Sequence, residues 1–218
     1  MCNFIFCVFH KTCQIEKSCF KLIQFRIKIF YIISLIILLF ISDLHSGNYY
    51  DGIDGISSGA YIEQLHSLID DHTRLTYSGV LEALKYTDED TSDTNNVILL
   101  YTGRSQSKNY NIMEGFFSDE NCWVREHVWP KSHGFSDDTL PPYTDIHHLR
   151  PADNSVNTDR SDNDFDYSDI PHNEAIGCYY SSDSWEPRDA IKGDIARMLF
   201  YMDIRYQGDT INEPNLEL

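Results

Sequence analysis

CWVREHVWPKSHGFSDDTLPPYTDIHHLRPADNSVNTDRSDNDF, residues 122–165, is the stretch whose reading decides the fold. Trp123–Val128 alternates apolar and polar residues and stops at Pro130, which reads as a strand. Gly134, Pro141 and Pro142 make Ser132–Thr144 a long ordered loop. Asp145–Leu149 reads as a further short strand, and Pro151 opens a helix running to Asp162, because proline is tolerated in a first helical turn.

On the N-terminal side, Ser57 or Ser58 caps a helix with Tyr61, Leu65, Leu68 and Ile69 on one face, broken by Asp70–Thr73. A second short helix from Ser78 turns Val80, Leu81 and Leu84 inward. Val97–Tyr101 reads as a buried strand closed by a turn at Gly103. On the C-terminal side, Trp185–Pro187 starts the longest helix, which runs to Gln207 and stops at Gly208. Its Ile191, Ile195, Met198, Leu199 and Met202 repeat at core-helix spacing. The class is α+β, a mainly helical domain around a small antiparallel sheet.

Residues 1–46 differ in kind. They carry four of the six cysteines, five Lys or Arg and two acidic residues, and an apolar run at Phe30–Ile41. That run is shorter than the ~20 residues needed to cross a bilayer. Basic residues before it and Ser46-Gly47 after it fit a secretory signal peptide, with an uncleaved signal anchor as the alternative. The expectation is therefore a signal over 1–46, a domain over 47–218, and an exported protein, with membrane contact only if the signal stays. Two cysteines then remain, Cys122 and Cys178; an even pair in an exported domain suggests a disulfide, with two separate buried thiols as the alternative.

The whole chain has a formal charge of −17, and residues 47–218 hold 12 basic against 32 acidic side chains, a net of −20. Such an average argues against a broadly basic nucleic-acid face. A local cluster can still bind phosphate, and Arg104, Lys108, Arg125, Lys131, Arg150 and Arg160 place half of those 12 between positions 104 and 160.

The central stretch also concentrates chemistry. Glu126 and His127 sit at the end of a strand, where the departure forced by Pro130 lets both reach one pocket. A carboxylate that holds a hard cation beside an imidazole that takes a proton near pH 7 is what metal-assisted hydrolysis needs. Asn157 offers an amide oxygen as a further hard ligand. Asn154 reads as a capping or exposed residue. Arg160, one turn on, either binds a phosphate or pairs with Asp159 or Asp162. Of the adjacent His147 and His148, one buttresses His127 or the helix; a zinc site built with them lacks the usual accompanying ligand patterns.

REHVWPKSH followed by DIHHLRPADNSVNTDRSDNDF, together with NNVILLYTGRS and WEPRDAIKGDIARMLFYM, resembles the secreted endonuclease I family of the His-Me finger (ββα-metal) nucleases. The resemblance implies that His127 is the general base and that Glu126 and Asn157 hold one Mg²⁺, with a ββα-metal finger as the frame. Arg150 and Arg160 are the phosphate-gripping candidates, with His147 and His148 in support. It implies cleavage of DNA, and also RNA, to 5′-phosphate products through backbone contacts that carry no base code, with no stable protein partner. Relatives continue past the long helix, so residues 47–218 are expected to be incomplete at the C-terminal end. The rival expectations are an inactive binding domain of the same fold and a zinc hydrolase.

Overall fold

A computed structural model describes residues 49–51, 53, 57–114, 119–209 and 213–218. The expected signal segment, residues 1–46, lies outside the described residues.

Helix α1 spans Ser58–Ile69, and Ser57 caps it by accepting from the Ala60 amide. Tyr61 stands exposed, contrary to the expected inward face, and His66 is the buried side chain of this helix. Helix α2 covers Tyr77–Thr87 behind a Thr76 cap and buries Val80, Leu81 and Leu84 as expected. Strand β1 is only Asn96–Ile98, paired antiparallel with β2, Ser105–Ser107. Leu99, Leu100 and Tyr101 are buried in the turn that follows β1, where Gly103 adopts φ 68°.

Strand β3, Trp123–His127, pairs antiparallel with β4, Leu149–Asp153. The second strand therefore begins where the sequence suggested it would end. Residues 145–148 form a turn instead, because the Asp145 side chain accepts from the His147 amide at 3.0 Å, an Asx turn in place of a ladder bond. Pro151 lies inside β4 opposite Arg125, and its carbonyl accepts from the Leu100 amide at 2.8 Å. Helix α3 is shorter than expected, Asn154–Arg160, and follows β4 without a loop.

Strands β5 (Asp164–Phe165), β6 (Ile170–Pro171), β7 (Tyr179–Tyr180) and β8 (Ser184–Glu186) form a four-stranded sheet in the order β5-β8-β7-β6. Trp185 and Glu186 pair there, so helix α4 starts later than expected, at Asp189, and runs to Arg205. The α+β class holds, with several small sheets in place of one.

The β3–β4 hairpin is fixed from two sides. Trp123 and Leu149 pack with Val80, Leu81 and Leu84 of α2. Ala152 packs with Val156 of α3 and with Ile191, Ile195 and Met198 of α4. A third cluster joins Trp129 and Phe135, from the loop after β3, to Met202 and Tyr206 at the end of α4. Large buried side chains on both faces hold the hairpin's end, where the polar residues gather, at a defined position.

Candidate active site

His127 is the last residue of β3 and pairs with Leu149; Glu126 pairs with Arg150. Asn154 and Asn157 lie three residues apart on α3, one face of the helix. Glu126, His127, Asn154, Asn157 and Arg160 line one cavity of about 570 Å³, with Tyr77, Arg125 and Lys131 on its walls. Four of the expected residues thus meet. Arg150 is not in the lining.

His127 is 5 % exposed. Its Nε2 lies 3.0 Å from the Tyr143 carbonyl oxygen. A carbonyl only accepts, so Nε2 carries the proton and donates, and Nδ1 is left as the lone-pair nitrogen. Burial, and then the neighbouring His148, hold the imidazole well below its ordinary pKa, so it is neutral at pH 7. Aromatic rings surround it: Tyr143 at 5.2 Å, Phe135 at 6.1 Å and Tyr77 at 6.2 Å between centroids. The ring is ordered and uncharged, as a proton acceptor should be.

Glu126 is 3 % exposed, and one oxygen is committed: Oε1 accepts from the Tyr101 hydroxyl at 2.5 Å and faces Arg160 Nη1 at 3.3 Å. Burial pushes the carboxyl's pKa up; Arg160 and the Tyr101 hydroxyl pull it down again. The Glu126 carboxylate shares the cavity with the Asn157 amide. A carboxylate oxygen and an amide oxygen are hard donors, so this pair suits Mg²⁺ or Ca²⁺ better than a thiophilic metal. Among the described residues, the group of three or more His, Cys, Asp or Glu side chains close enough to share an ion is His66, Asp70 and Asp209. His127, His147 and His148 do not form one, which removes the geometric basis of a zinc reading.

The phosphate-gripping expectation needs correction. Arg150 Nε faces Asp88 at 3.6 Å, and its Nη1 donates to the Ile146 and Leu149 carbonyls at 3.0 and 2.7 Å, away from the cavity. Arg160 is 1 % exposed. Beyond Glu126, it donates to the His127 carbonyl at 3.2 Å and the Val128 carbonyl at 2.9 Å, so it braces the end of β3 from α3. Arg104 is paired with Asp153 and Lys108 with Glu89. Of the six clustered basic residues, Arg125 and Lys131 line the cavity without an ion-pair partner among the described residues. The Arg125 guanidinium lies 3.4 Å from the Tyr77 ring centroid, and Lys131 Nζ lies 5.0 Å from that of Tyr143.

The histidine pair divides. His148 is fully buried, with Nε2 2.8 Å from the Pro142 carbonyl and its ring 5.6 Å from that of His127. His147 is half exposed, bonds Asp145 through Nδ1 at 2.8 Å, and stacks on Tyr201. Cys122 and Cys178 are not joined. Cys178 is a free thiol packed in the α4 core, its Sγ against the Tyr101 carbonyl and the Arg188 amide. The expected disulfide is replaced by burial of an apolar thiol. Tyr101 and Tyr143 were not singled out by the sequence. Their roles depend on contacts 25 and 16 residues away, which no local spacing signals.

Known proteins are similar to this chain over most of its length. A family model described as "Endonuclease I" matches residues 59–215. A Bacillus subtilis (strain 168) protein named "Extracellular ribonuclease" is 54 % identical over 170 residues, covering 78 % of this chain and 57 % of the relative. A Bacillus amyloliquefaciens protein of the same name is 52 % identical over the same length and shares. The chain thus spans little more than half the length of these relatives. With the family match running from the first turn of α1 to Asn215, the protein belongs to the Endonuclease I family.

Proposed function

We propose that this chain hydrolyses phosphodiester bonds in nucleic acid at the cavity between β3 and α3, within a ββα-metal (His-Me) finger formed by β3, β4 and α3. The observation that carries the reading is that a neutral, oriented His127, a half-committed Glu126 and Asn157 share one cavity. His127 Nδ1 takes a proton from water, while its Nε2–H stays on the Tyr143 carbonyl. The hydroxide attacks phosphorus, the bond from phosphorus to O3′ breaks, and O3′ leaves to be protonated by solvent. The products are a 5′-phosphate and a 3′-hydroxyl. A divalent cation, Mg²⁺ in this reading, would be held by the Glu126 carboxylate and the Asn157 amide oxygen and would supply positive charge to the phosphate and the departing oxygen.

Arg125 and Lys131 are the cavity cations left to meet phosphate. Backbone contacts of this kind give little sequence preference. RNA as a substrate is supported by the name of the two Bacillus relatives. DNA follows from chemistry, since a water nucleophile needs no 2′-hydroxyl. Export is supported by the same names and by the signal character of residues 1–46, with residues 47–218 as the nuclease domain. Among the described residues no helix is long and apolar enough to cross a membrane.

The test is cleavage of supercoiled plasmid and single-stranded RNA by the purified chain, with Mg²⁺ and with EDTA, beside His127→Ala. Both substrates should be cut only with Mg²⁺, and His127→Ala should lose roughly 10²–10⁴-fold. Equal cutting by a folded His127→Ala would remove the base assignment.

A further inference from the structure

Asp145 is not in the lining of the cavity that holds His127, yet it is 1 % exposed and collects four hydrogen bonds. Its Oδ1 accepts from the His147 backbone amide at 3.0 Å and from His147 Nδ1 at 2.8 Å. Its Oδ2 accepts from the Tyr201 hydroxyl at 2.9 Å and the Tyr206 hydroxyl at 2.8 Å. The His147 amide and both tyrosine hydroxyls donate to it, a set that suits an ionised carboxylate. Tyr201 lies in the last turns of α4 and Tyr206 just beyond its end, buried against Met202, Trp129 and Phe135. The carboxylate is therefore tied to the buried C-terminal end of the long helix.

What Asp145 holds in place is the short 3-10 turn before it, Pro141–Thr144. The Asp145 amide donates to the Pro142 carbonyl at 3.3 Å, closing that turn. The same turn presents two carbonyls to two imidazoles: Pro142 to His148 Nε2 at 2.8 Å, and Tyr143 to His127 Nε2 at 3.0 Å. One loop segment thus fixes the tautomer and ring plane of His127 and of the histidine behind it. Trp129, Phe135, Leu140 and Tyr143 also pack this loop against Met202 and Tyr206, and Asp145 adds a buried charge to that contact. Apolar packing holds the loop in place, whereas the directional bonds of Asp145 set the orientation of the turn that carries the Tyr143 carbonyl.

We propose that Asp145 is a positioning residue for His127: anchored on Tyr201 and Tyr206, it sets the turn whose Tyr143 carbonyl keeps the His127 proton on Nε2 and the lone pair on Nδ1. The inference rests on His127 being the base. A loss of ring placement of about 1 Å is enough to cost on the order of 10²-fold in rate without a change in substrate affinity.

Two readings on the full chain decide it. Long-range ¹H–¹⁵N spectra of labelled protein report the His127 tautomer directly. Wild type should show a protonated Nε2 and an unprotonated Nδ1, whereas Asp145→Asn should show a mixture of tautomers. Steady-state cleavage of a short RNA should give kcat lowered about 10–100-fold for Asp145→Asn, with KM within about two-fold. Tyr201→Phe removes one donor and leaves the core aromatic in place. It should move both readings the same way by a smaller amount, and it decides the question if Asp145→Asn does not fold. A folded Asp145→Asn with a wild-type His127 spectrum and wild-type kcat would overturn the proposal. If the wild-type chain cleaves no nucleic acid, the activity reading fails on its own, and the spectra still decide the positioning.

Discussion

Arg160 Nη1 lies 3.3 Å from Glu126 Oε1, and both side chains are almost wholly withdrawn from water. The guanidinium comes from the last turn of α3 and the carboxylate from the penultimate residue of β3. Two further donations, to the His127 and Val128 carbonyls, make Arg160 a clamp across the strand–helix pair. Removing one partner of a buried pair leaves the other charge uncompensated, at a cost of about 3–5 kcal/mol. Arg160→Ala should therefore lower unfolding free energy by about that much in urea titration. Arg160→Lys should recover little of it, because one ammonium cannot reach two carbonyls and a carboxylate in the geometry of a planar fork. A wild-type urea midpoint for Arg160→Ala would show that the clamp carries no stability.

Tyr101 raises a different expectation. Its hydroxyl donates to Glu126 Oε1 and so helps to orient the carboxylate that the proposed cation would use. Partners of this kind, one step removed from the metal, typically change metal affinity 10–100-fold. Tyr101→Phe should raise the Mg²⁺ concentration for half-maximal cleavage by about ten-fold, with the rate at saturating Mg²⁺ much less affected. The check is a Mg²⁺ titration of cleavage for both proteins. Superimposable titrations would mean that Glu126 keeps its orientation through Arg160 alone.

The residues that decided these expectations were legible in the sequence to unequal degrees. Val80, Leu81 and Leu84, and the Ile191–Met202 series, declared two helix faces because apolar periodicity is set locally and tertiary packing reinforced it. That Glu126, His127 and Asn157 meet in one cavity was legible because they lie at the end of one element and within the helix that follows its partner strand. Pro151 misled: proline favours a first helical turn, but here it sits in a strand whose hairpin pairing and Leu100 contact outweigh that preference. The four strands from Asp164 to Glu186 are two or three residues each, too short for any alternation to show. Arg150 and Arg160 misled for another reason. Whether a basic side chain faces solvent or an acid depends on partners such as Asp88 and Glu126, which are remote in sequence.

His148 sets an acid limit on stability. Burial drives its pKa from the ordinary 6.5 down to about 4, and the nearby Asp145 carboxylate recovers only part. Between those two values the unfolded chain binds a proton at His148 that the folded chain refuses. Stability therefore rises with pH from about 4 to 6.5 and is insensitive to this group above that. The loss over the window is on the order of 3 kcal/mol. His127, lowered by burial as well, acts in the same direction. Asp145, held low by its hydrogen bonds against its own burial, contributes a loss only below the ordinary carboxylate range. Urea midpoints should be level from pH 7 to 8 and fall from pH 6.5 toward 4, and His148→Gln should flatten part of that fall. A midpoint that stays level down to pH 5 would contradict the buried neutral imidazole.

The identity of the nucleophile separates this mechanism from that of ribonucleases that use the substrate's own 2′-hydroxyl. His127 lines the cavity with Nε2 engaged by the Tyr143 carbonyl, and the described lining supplies no second imidazole to act as the acid for a 2′-hydroxyl attack. His148 is fully buried behind it, and His147 turns to Asp145. With water as nucleophile, RNA fragments should end in 5′-phosphate and 3′-hydroxyl groups. No 2′,3′-cyclic phosphate should form, and 2′-O-methylated RNA should be cut at a rate within about ten-fold of unmodified RNA, as P–O3′ cleavage does not pass through the 2′ oxygen. Mass spectrometry of the fragments distinguishes the two routes directly. Cyclic phosphate among the products, or resistance of the methylated strand with intact binding, would assign the attack to the 2′-hydroxyl, and DNA would then cease to be a substrate.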